Sequence, residues 1–425
     1  MIFIYNMLFF PGLIFFLPGL ICKLIWRPGY KKTFAERFAV FSAEQKTRLK
    51  SVERPVWVHA VSVGETMVAL ALIKKWKEKN PSRRFVLSTT TTTGQELARS
   101  KAPEDLPVFF CPLDFIFFVK RTLRLINPSM LVILETEIWP NLISEARKYG
   151  KVVLVNARIS DKSVKGYLKF KSFFGPLLSN FNLICAQSEN DCSRFLSIAP
   201  EVNVKVSGNI KFDQEIPSKM PDIDLSGLFG SGKSTILLAA STHPGEEKLI
   251  AETYLELRKD FQDLKLLIVP RHSERGSEIA SILSSLKIPF YRRSQQQAFS
   301  EKEELDCLLA DTTGELLAFI SKSDIVIMGK SLAGHDEGHN LIEPALLAKP
   351  IVTGPVITNF RFVLNALLEK NAVFTVDADD KLEGVLRQLL ENPSLREETG
   401  KRAKEAISIH KGAADKTVEL IEKSF

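Results

Sequence analysis

The sequence predicts an α/β protein built from two doubly wound, Rossmann-like domains facing a cleft. Three observations carry this. Short apolar runs of strand length alternate with longer stretches of helical periodicity, as in parallel sheets covered by helices. The alternation breaks once, over residues 214–233, where Pro, Asp, Ser and Gly accumulate. A chain of 425 residues also exceeds what one hydrophobic core usually supports.

The elements follow in order. A short helix is expected at Thr33–Phe41, then a buried strand from Val56 to Val61 and a helix over Thr66–Glu78. Further strands are expected at Phe85–Thr89, Leu131–Glu135, Val152–Asn156, Leu183–Ala186 and Val204–Gly208. Beyond the break, strands are expected at Ile236–Ala240, Leu266–Val269, Pro289–Tyr291, Cys307–Ala310, Asp324–Met328 and Pro350–Thr353. A last helical stretch, Arg396–Lys423, could cross back onto the first domain. The expected division is an anchor at 1–26, a first domain at 27–213, a linker at 214–233, a second domain at 234–400 and a final helix at 401–425.

The first 26 residues are nearly all apolar, with Asn6 and Lys23 as the strongly polar interruptions, and Arg27, Lys31 and Lys32 follow. A cleaved signal peptide carries its basic residues before the apolar core and small residues after it. Here the charge lies on the other side, which fits a membrane anchor with its basic end in the cytoplasm. Pro11-Gly12 and Pro18-Gly19 would kink a spanning helix, so a monotopic insertion fits as well. A buried packing helix is the third reading.

Composition is that of a globular protein, 45% hydrophobic and 25% charged, with a net charge of +7. That charge suits an anionic membrane face or anionic substrates. No basic stripe interleaved with aromatics occurs, so a nucleic-acid partner is not expected. The five cysteines have no paired spacing and read as reduced. Neither CxxC nor HExxH occurs, and no metal site is expected. Gly227 to Ser234 matches the phosphate-loop pattern GxxxxGK[ST]. That pattern works between a preceding strand and a following helix. Here the order is reversed, so no nucleoside triphosphate site is expected.

Polar residues gather where strands end. Asn340 and Glu343 sit three apart on an expected helix and would share one face, well placed to grip ribose hydroxyls. Glu65 follows Gly64 after a strand; it reads either as a general base or as a helix-terminal acid. Glu135 and Glu137 flank Thr136 at another strand exit, as a functional or a solvated pair. Lys211, in Gly208–Asp213, could steady a departing phosphate or be a surface lysine. Pro270-Arg271-His272 offers a bidentate cation to phosphate or carboxylate, with His272 read as a packed neighbour. Asp311–Glu315 is a further exit, where Gly314 lets backbone approach a ligand. His335 and His339 lie near Asp336 and Glu337 without metal-ligand spacing.

These stretches resemble one family. They are His59–Glu65, Glu135–Asn141, Asn156–Ser160, Gly208–Asp213, Ser241–Glu247, Val269–His272, Asp311–Glu315 and Gly338–Glu343. In this order, across most of the chain, they are similar to the Kdo (3-deoxy-D-manno-octulosonic acid) transferases of lipopolysaccharide synthesis, which are GT-B glycosyltransferases. The resemblance implies inverting transfer of Kdo from CMP-Kdo to a lipid A precursor, at the cytoplasmic face of the inner membrane. It makes Glu65 the base that deprotonates the acceptor hydroxyl, with Glu135 and Lys211 stabilising the transition state. It assigns CMP to Pro270 and Arg271, to Thr313, Gly314 and Glu315, and to Asn340, Leu341, Ile342 and Glu343. It implies no metal and no cofactor, CMP-Kdo being a substrate. The chain departs from the family pattern at Gly329-Lys330-Ser331, where paired glycines are usual before the serine. The loop Leu332–Gly338 has one Gly before His339 where two are common. Ala39 stands where a Gly is common. These departures concern loop shape.

Overall fold

The computed structural model describes residues 2–7, 9, 11, 12, 34–225, 229, 234–295, 305–358 and 360–425. Contacts divide the chain into two compact units. One is Met1–Asp213 with Gly412–Phe425, and the other is Gln214–Lys411.

The first unit is built on β1 (Val56–Ala60), β2 (Phe85–Thr89), β3 (Val108–Phe110), β4 (Met130–Leu134), β5 (Lys151–Ala157), β6 (Leu183–Ala186) and β7 (Val204–Val206). Their order in the sheet is β3-β2-β1-β4-β5-β6-β7, and every pairing is parallel. The sheet is covered on both sides, so β1, β2 and β4 are buried along their whole length. Alternate residues serve opposite cores, as the pleat requires. Trp57 and Leu131 join one cluster; Val56, Val58 and Val132 join the other. The chain leaves β1 in opposite directions to reach β2 and β4, which opens a crevice at the carboxyl end between β1 and β4.

The second unit repeats the plan with β8 (Thr235–Thr242), β9 (Leu264–Pro270), β10 (Phe290–Arg292), β11 (Cys307–Leu309), β12 (Ile325–Met328), β13 (Ile351–Thr353) and β14 (Phe374–Thr375). The order is β10-β11-β9-β8-β12-β13-β14, again all parallel. The reversal falls between β8 and β12. Gly329, just after β12, is required there, because a Cβ would stand 2.4 Å from the carbonyl oxygen of Ser241. The exits of β8 and β12 are therefore pressed together.

Several expectations change. The short strands β3 and β14 join the expected set. The helix expected to carry both Asn340 and Glu343 is only Ile342–Leu346, so Asn340 precedes it. The expected final helix is two helices, Pro393–Ser408 and Ala413–Ser424. Gly412, with φ of 94°, breaks the run. The second of these helices belongs to the first unit, where Ala413, Ala414, Val418 and Ile421 enter its core. Its first turn is capped from a distance: the Asp213 carboxylate accepts the Gly412 and Ala414 N–H groups at 2.6 and 2.5 Å.

Most of the expected anchor, and the Gly227–Ser234 pattern except Phe229 and Ser234, lie outside the described residues. Residues 2–7 are helical. Tyr5 donates to Asp114 at 3.1 Å, and Asn6 pairs with Asn141 at 2.8 Å. Among the described residues no helix is long and apolar enough to cross a membrane. The four described cysteines are free.

Candidate active site

The first unit gathers a cluster of carboxylates and cations at the crevice between β1 and β4. Beyond β1, Ser62 caps the helix Val63–Lys79, accepting from the Glu65 N–H at 3.4 Å. Glu65 curls back over this helix start. Its carboxylate accepts from the Val61 N–H at 2.8 Å and the Ser62 hydroxyl at 2.9 Å. The side chain is buried. Burial raises its pKa above 4.5, against the pull of the Val61 N–H, and the Glu135 charge raises it further. Glu65 is thus a helix-terminal acid that is also desolvated.

Glu135 follows β4 with φ of 55°, a left-handed conformation that a non-glycine residue adopts at a cost. Its carboxylate is met by Lys211 at 2.7 Å and Arg158 at 3.6 Å. Lys211 is placed by Asn156, whose side-chain oxygen accepts the Ile210 N–H at 2.9 Å, and by Asn209, which accepts the Lys211 N–H at 3.0 Å. Three sequence motifs from separate strand exits thereby converge. Glu135 and Lys211 are in direct contact, and Glu65 lies within electrostatic reach of Glu135.

Glu137 is a further member. Burial, then the charges of Glu65 and Glu135, push its pKa up to about 7 from 4.5. A carboxyl group raised in the folded state costs nothing below pH 4.5 and progressively destabilises the fold as pH rises through about 7. Glu137→Gln is therefore expected to leave stability unchanged near pH 4.5 and to raise it, relative to wild type, above pH 7. The gain is on the order of 1 kcal/mol after solvent screening. Denaturant midpoints of both proteins across this range check it; parallel curves would refute it.

In the second unit the residues expected to bind CMP lie at the carboxyl ends of β9, β11 and β12. Pro270 closes β9, and the Arg271 N–H donates to the Thr242 carbonyl at 3.1 Å. The Arg271 side chain is exposed. Thr313 and Gly314 are exposed after β11, Gly314 with φ of 87°. Glu315 is gripped by Arg293 at 2.6 and 2.8 Å, which holds its carboxyl below the ordinary range. Asn340 and Glu343 do not share a helix, yet one residue bridges them. Gln214 accepts from Asn340 and donates to Glu343, both at 2.9 Å. Leu341 and Ile342 are buried, and the Ile342 N–H donates to the Asn340 side-chain oxygen at 3.0 Å.

Sequence reasoning left out the residues that organise this edge. Glu246, fully buried, accepts four backbone N–H groups: His243 and Lys330 at 2.8 Å, Ser331 at 2.9 Å and Leu332 at 3.0 Å. It ties the β8 exit to the β12 exit. Beside it lie four of the chain's six histidines. The His243 ring centroid is 5.1 Å from that of His339, 5.6 Å from His335 and 5.9 Å from His272. All four follow a strand by one to eleven residues, a signal present in the sequence but scattered over 97 positions, 243 to 339. Among the described residues no group of three or more His, Cys, Asp or Glu is placed to hold a metal.

Lys330 occupies one of the positions where the sequence departs from the family pattern. Its φ is 62°, the left-handed region where glycine costs least. Lys330→Gly is expected to raise thermal stability by about 1 kcal/mol through relief of this conformation. A lowered melting temperature would show that the Lys330–Glu337 ion pair outweighs it.

Comparison with known proteins agrees with this architecture. Residues 32–214 match a family model described as 3-deoxy-D-manno-octulosonic-acid transferase (kdotransferase). The Haemophilus influenzae 3-deoxy-D-manno-octulosonic acid transferase is 30% identical over 399 residues, 93% of this chain and 92% of the relative. The Rickettsia conorii enzyme is 32% identical over 87% of this chain and 79% of its own length. The Chlamydophila psittaci enzyme is 29% identical over 96% and 93%. Among solved structures, UDP-GlcNAc 2-epimerase from Neisseria meningitidis bound to UDP-GlcNAc aligns at TM-score 0.57 and 15% identity, over 87% of this chain and all of that one. A glycosyltransferase from Rickettsia africae aligns at 0.55 and 12%, over 87% and 98%. These two share the GT-B-like arrangement of two parallel-sheet units. With a relative at 30% identity spanning nearly the whole length of both chains, the protein belongs to the 3-deoxy-D-manno-octulosonic acid transferase family and is a glycosyltransferase.

Proposed function

We propose that the protein transfers Kdo from CMP-Kdo to a lipid A precursor in lipopolysaccharide core biosynthesis, with inversion at the anomeric carbon and release of CMP. The observation that carries the chemistry is the buried Glu65 carboxylate, with its raised pKa, beside the Glu135–Lys211 pair. In this reading Glu65 takes the proton of the acceptor hydroxyl as its oxygen attacks the anomeric carbon. The bond from that carbon to the CMP phosphate breaks, and its electron pair leaves with CMP. Glu135 and Lys211 stabilise charge as the transition state forms. Arg271, the segment Thr313–Glu315 and the segment Asn340–Glu343 hold CMP. Lys211, Arg158 and Arg271 supply the positive charge, and the reaction requires no metal.

The acceptor is a lipid, so the protein works at the cytoplasmic face of the inner membrane, anchored through residues 1–26. The exposed Phe3, Ile4 and Met7 support this, as apolar side chains at the start of that segment.

Product mass tests the whole reading. The purified protein is incubated with a tetraacylated lipid A precursor and freshly generated CMP-Kdo, with and without EDTA once the donor is made. One or more added Kdo masses in both arms are expected, and their number counts the transfers. No addition while CMP still binds would require a different acceptor, and loss of transfer with EDTA would overturn the metal-free mechanism.

A further inference from the structure

We propose that the histidine cluster of the second unit, centred on His243 and His339, is the site that receives an oxyanion of the donor, its phosphate or its sugar carboxylate. This rests on the donor reading above and names the groups that meet the donor's charge.

Position comes first. His243 follows β8, His272 follows β9, and His335 and His339 follow β12. These are the three adjacent central strands of the sheet, and the reversal of strand direction falls between two of them. Ligands of open α/β sheets bind at the carboxyl end of such a point.

Charge comes second. His243 Nε2 and His339 Nε2 face each other at 2.9 Å, so an N–H of one ring is directed at the lone pair of the other. Burial, and then neighbouring Lys330, His335, His272 and Arg275, push His243 down to about 4. Burial, then His243, Arg271 and Lys330, push His339 down to about 3, with Glu337 opposing. Of the nearby acids, Glu274 lies 3.8 Å from His272, and three others are engaged elsewhere. Glu246 accepts four backbone N–H groups. Glu337 pairs with Lys330 and Glu247 with Arg275. A metal cation entering here would meet Lys330, Arg271 and Arg275. An oxyanion would be met by N–H donors and would make protonation of either ring favourable.

The exposed Arg271 guanidinium, which has no ion-pair partner among the described residues, stands at the same edge. His335 is oriented by its Nε2, which lies 3.0 Å from the Pro244 carbonyl and so carries the hydrogen there. The edge is therefore rich in nitrogen donors, with the Glu274 carboxylate beside His272 on its exposed side.

The test measures binding of CMP and of cytidine to wild type and to His243→Gln and His339→Gln, by calorimetry at neutral pH, together with KM for CMP-Kdo. Glutamine keeps a hydrogen-bonding group and cannot become cationic. If the cluster holds phosphate, CMP binding falls at least about tenfold in the variants while cytidine binding is unchanged. If it holds the sugar carboxylate, CMP binding stays and KM for CMP-Kdo rises by a similar factor. Unchanged CMP binding with unchanged KM overturns the proposal. A wild-type protein that binds no CMP would sink the donor reading, and this proposal with it, a result distinct from the previous one. If a variant loses cytidine binding too, its fold has been damaged. The exposed His272→Gln then decides by the same two readings.

Discussion

Glu65→Gln is expected to lower the rate of transfer by about 10²–10⁴-fold, the usual contribution of a positioned general base. The amide keeps the size of the side chain, and its carbonyl can still accept from the Val61 N–H that now holds the carboxylate at 2.8 Å. The fold should survive. CMP binding should also survive, because the residues expected to hold CMP all belong to the other unit. The pH profile gives an independent reading. A base must be ionised, and burial together with the Glu135 charge raises the Glu65 pKa. The acid limb of kcat/KM in wild type is therefore expected above the ordinary carboxylate range, with activity lost as pH falls through it. Near-wild-type turnover in Glu65→Gln would remove this residue from the chemistry.

The largest stability effect is expected at Glu246→Gln. A carboxylate offers two acceptor oxygens, and Glu246 uses both, each for two backbone N–H groups. An amide offers one oxygen, and its NH₂ would point at two N–H donors. Two charge-assisted bonds are lost in a fully buried place, which costs about 3–5 kcal/mol. Against the roughly 5–15 kcal/mol that stabilises a typical domain, this is severe. The two units can be followed separately. All four tryptophans, Trp26, Trp57, Trp76 and Trp139, belong to the first unit. Tryptophan fluorescence should thus report an unchanged transition while circular dichroism shows an early second one. A single wild-type transition in both signals would disprove the role given to Glu246.

The fold was legible where runs were long and apolar. β4 and β12 are buried on both faces, so their apolar residues run without interruption, and β1 is broken by His59 alone. Strands of two or three residues at the sheet edges, Phe374–Thr375 and Val108–Phe110, carry too few side chains to show a period. Asn340 and Glu343 do not share the helix face the spacing suggested; Gln214, in the segment taken as a linker, hydrogen-bonds to both. In the first unit, Glu135 and Lys211 were each marked by a strand exit, but their contact is made by chain segments 76 residues apart in number, 135 to 211. The histidine cluster escaped for the same reason: His272 alone reads as a packed neighbour, and His335 and His339 lack metal-ligand spacing. The departures from the family pattern were visible, and the structure gives their physical meaning. Ala39 and Lys330 both have positive φ, at 57° and 62°, so the glycines usual there are the residues that adopt this backbone most freely.

The placement of the last helix has a consequence for how the protein is made. Ala413, Ala414, Val418 and Ile421 complete the core of the first unit, yet they are translated after the whole of the second. At roughly 5–20 residues per second, the ribosome finishes the whole inserted segment before that core can close. Residues 214–411, contiguous in the chain, can fold as soon as they emerge. The amino-terminal unit must wait, with the apolar surface meant for its final helix uncovered and Asp213 without the N–H groups it caps. Translation halted at residue 411 would thus strand the unit synthesised first, and leave intact the one synthesised second.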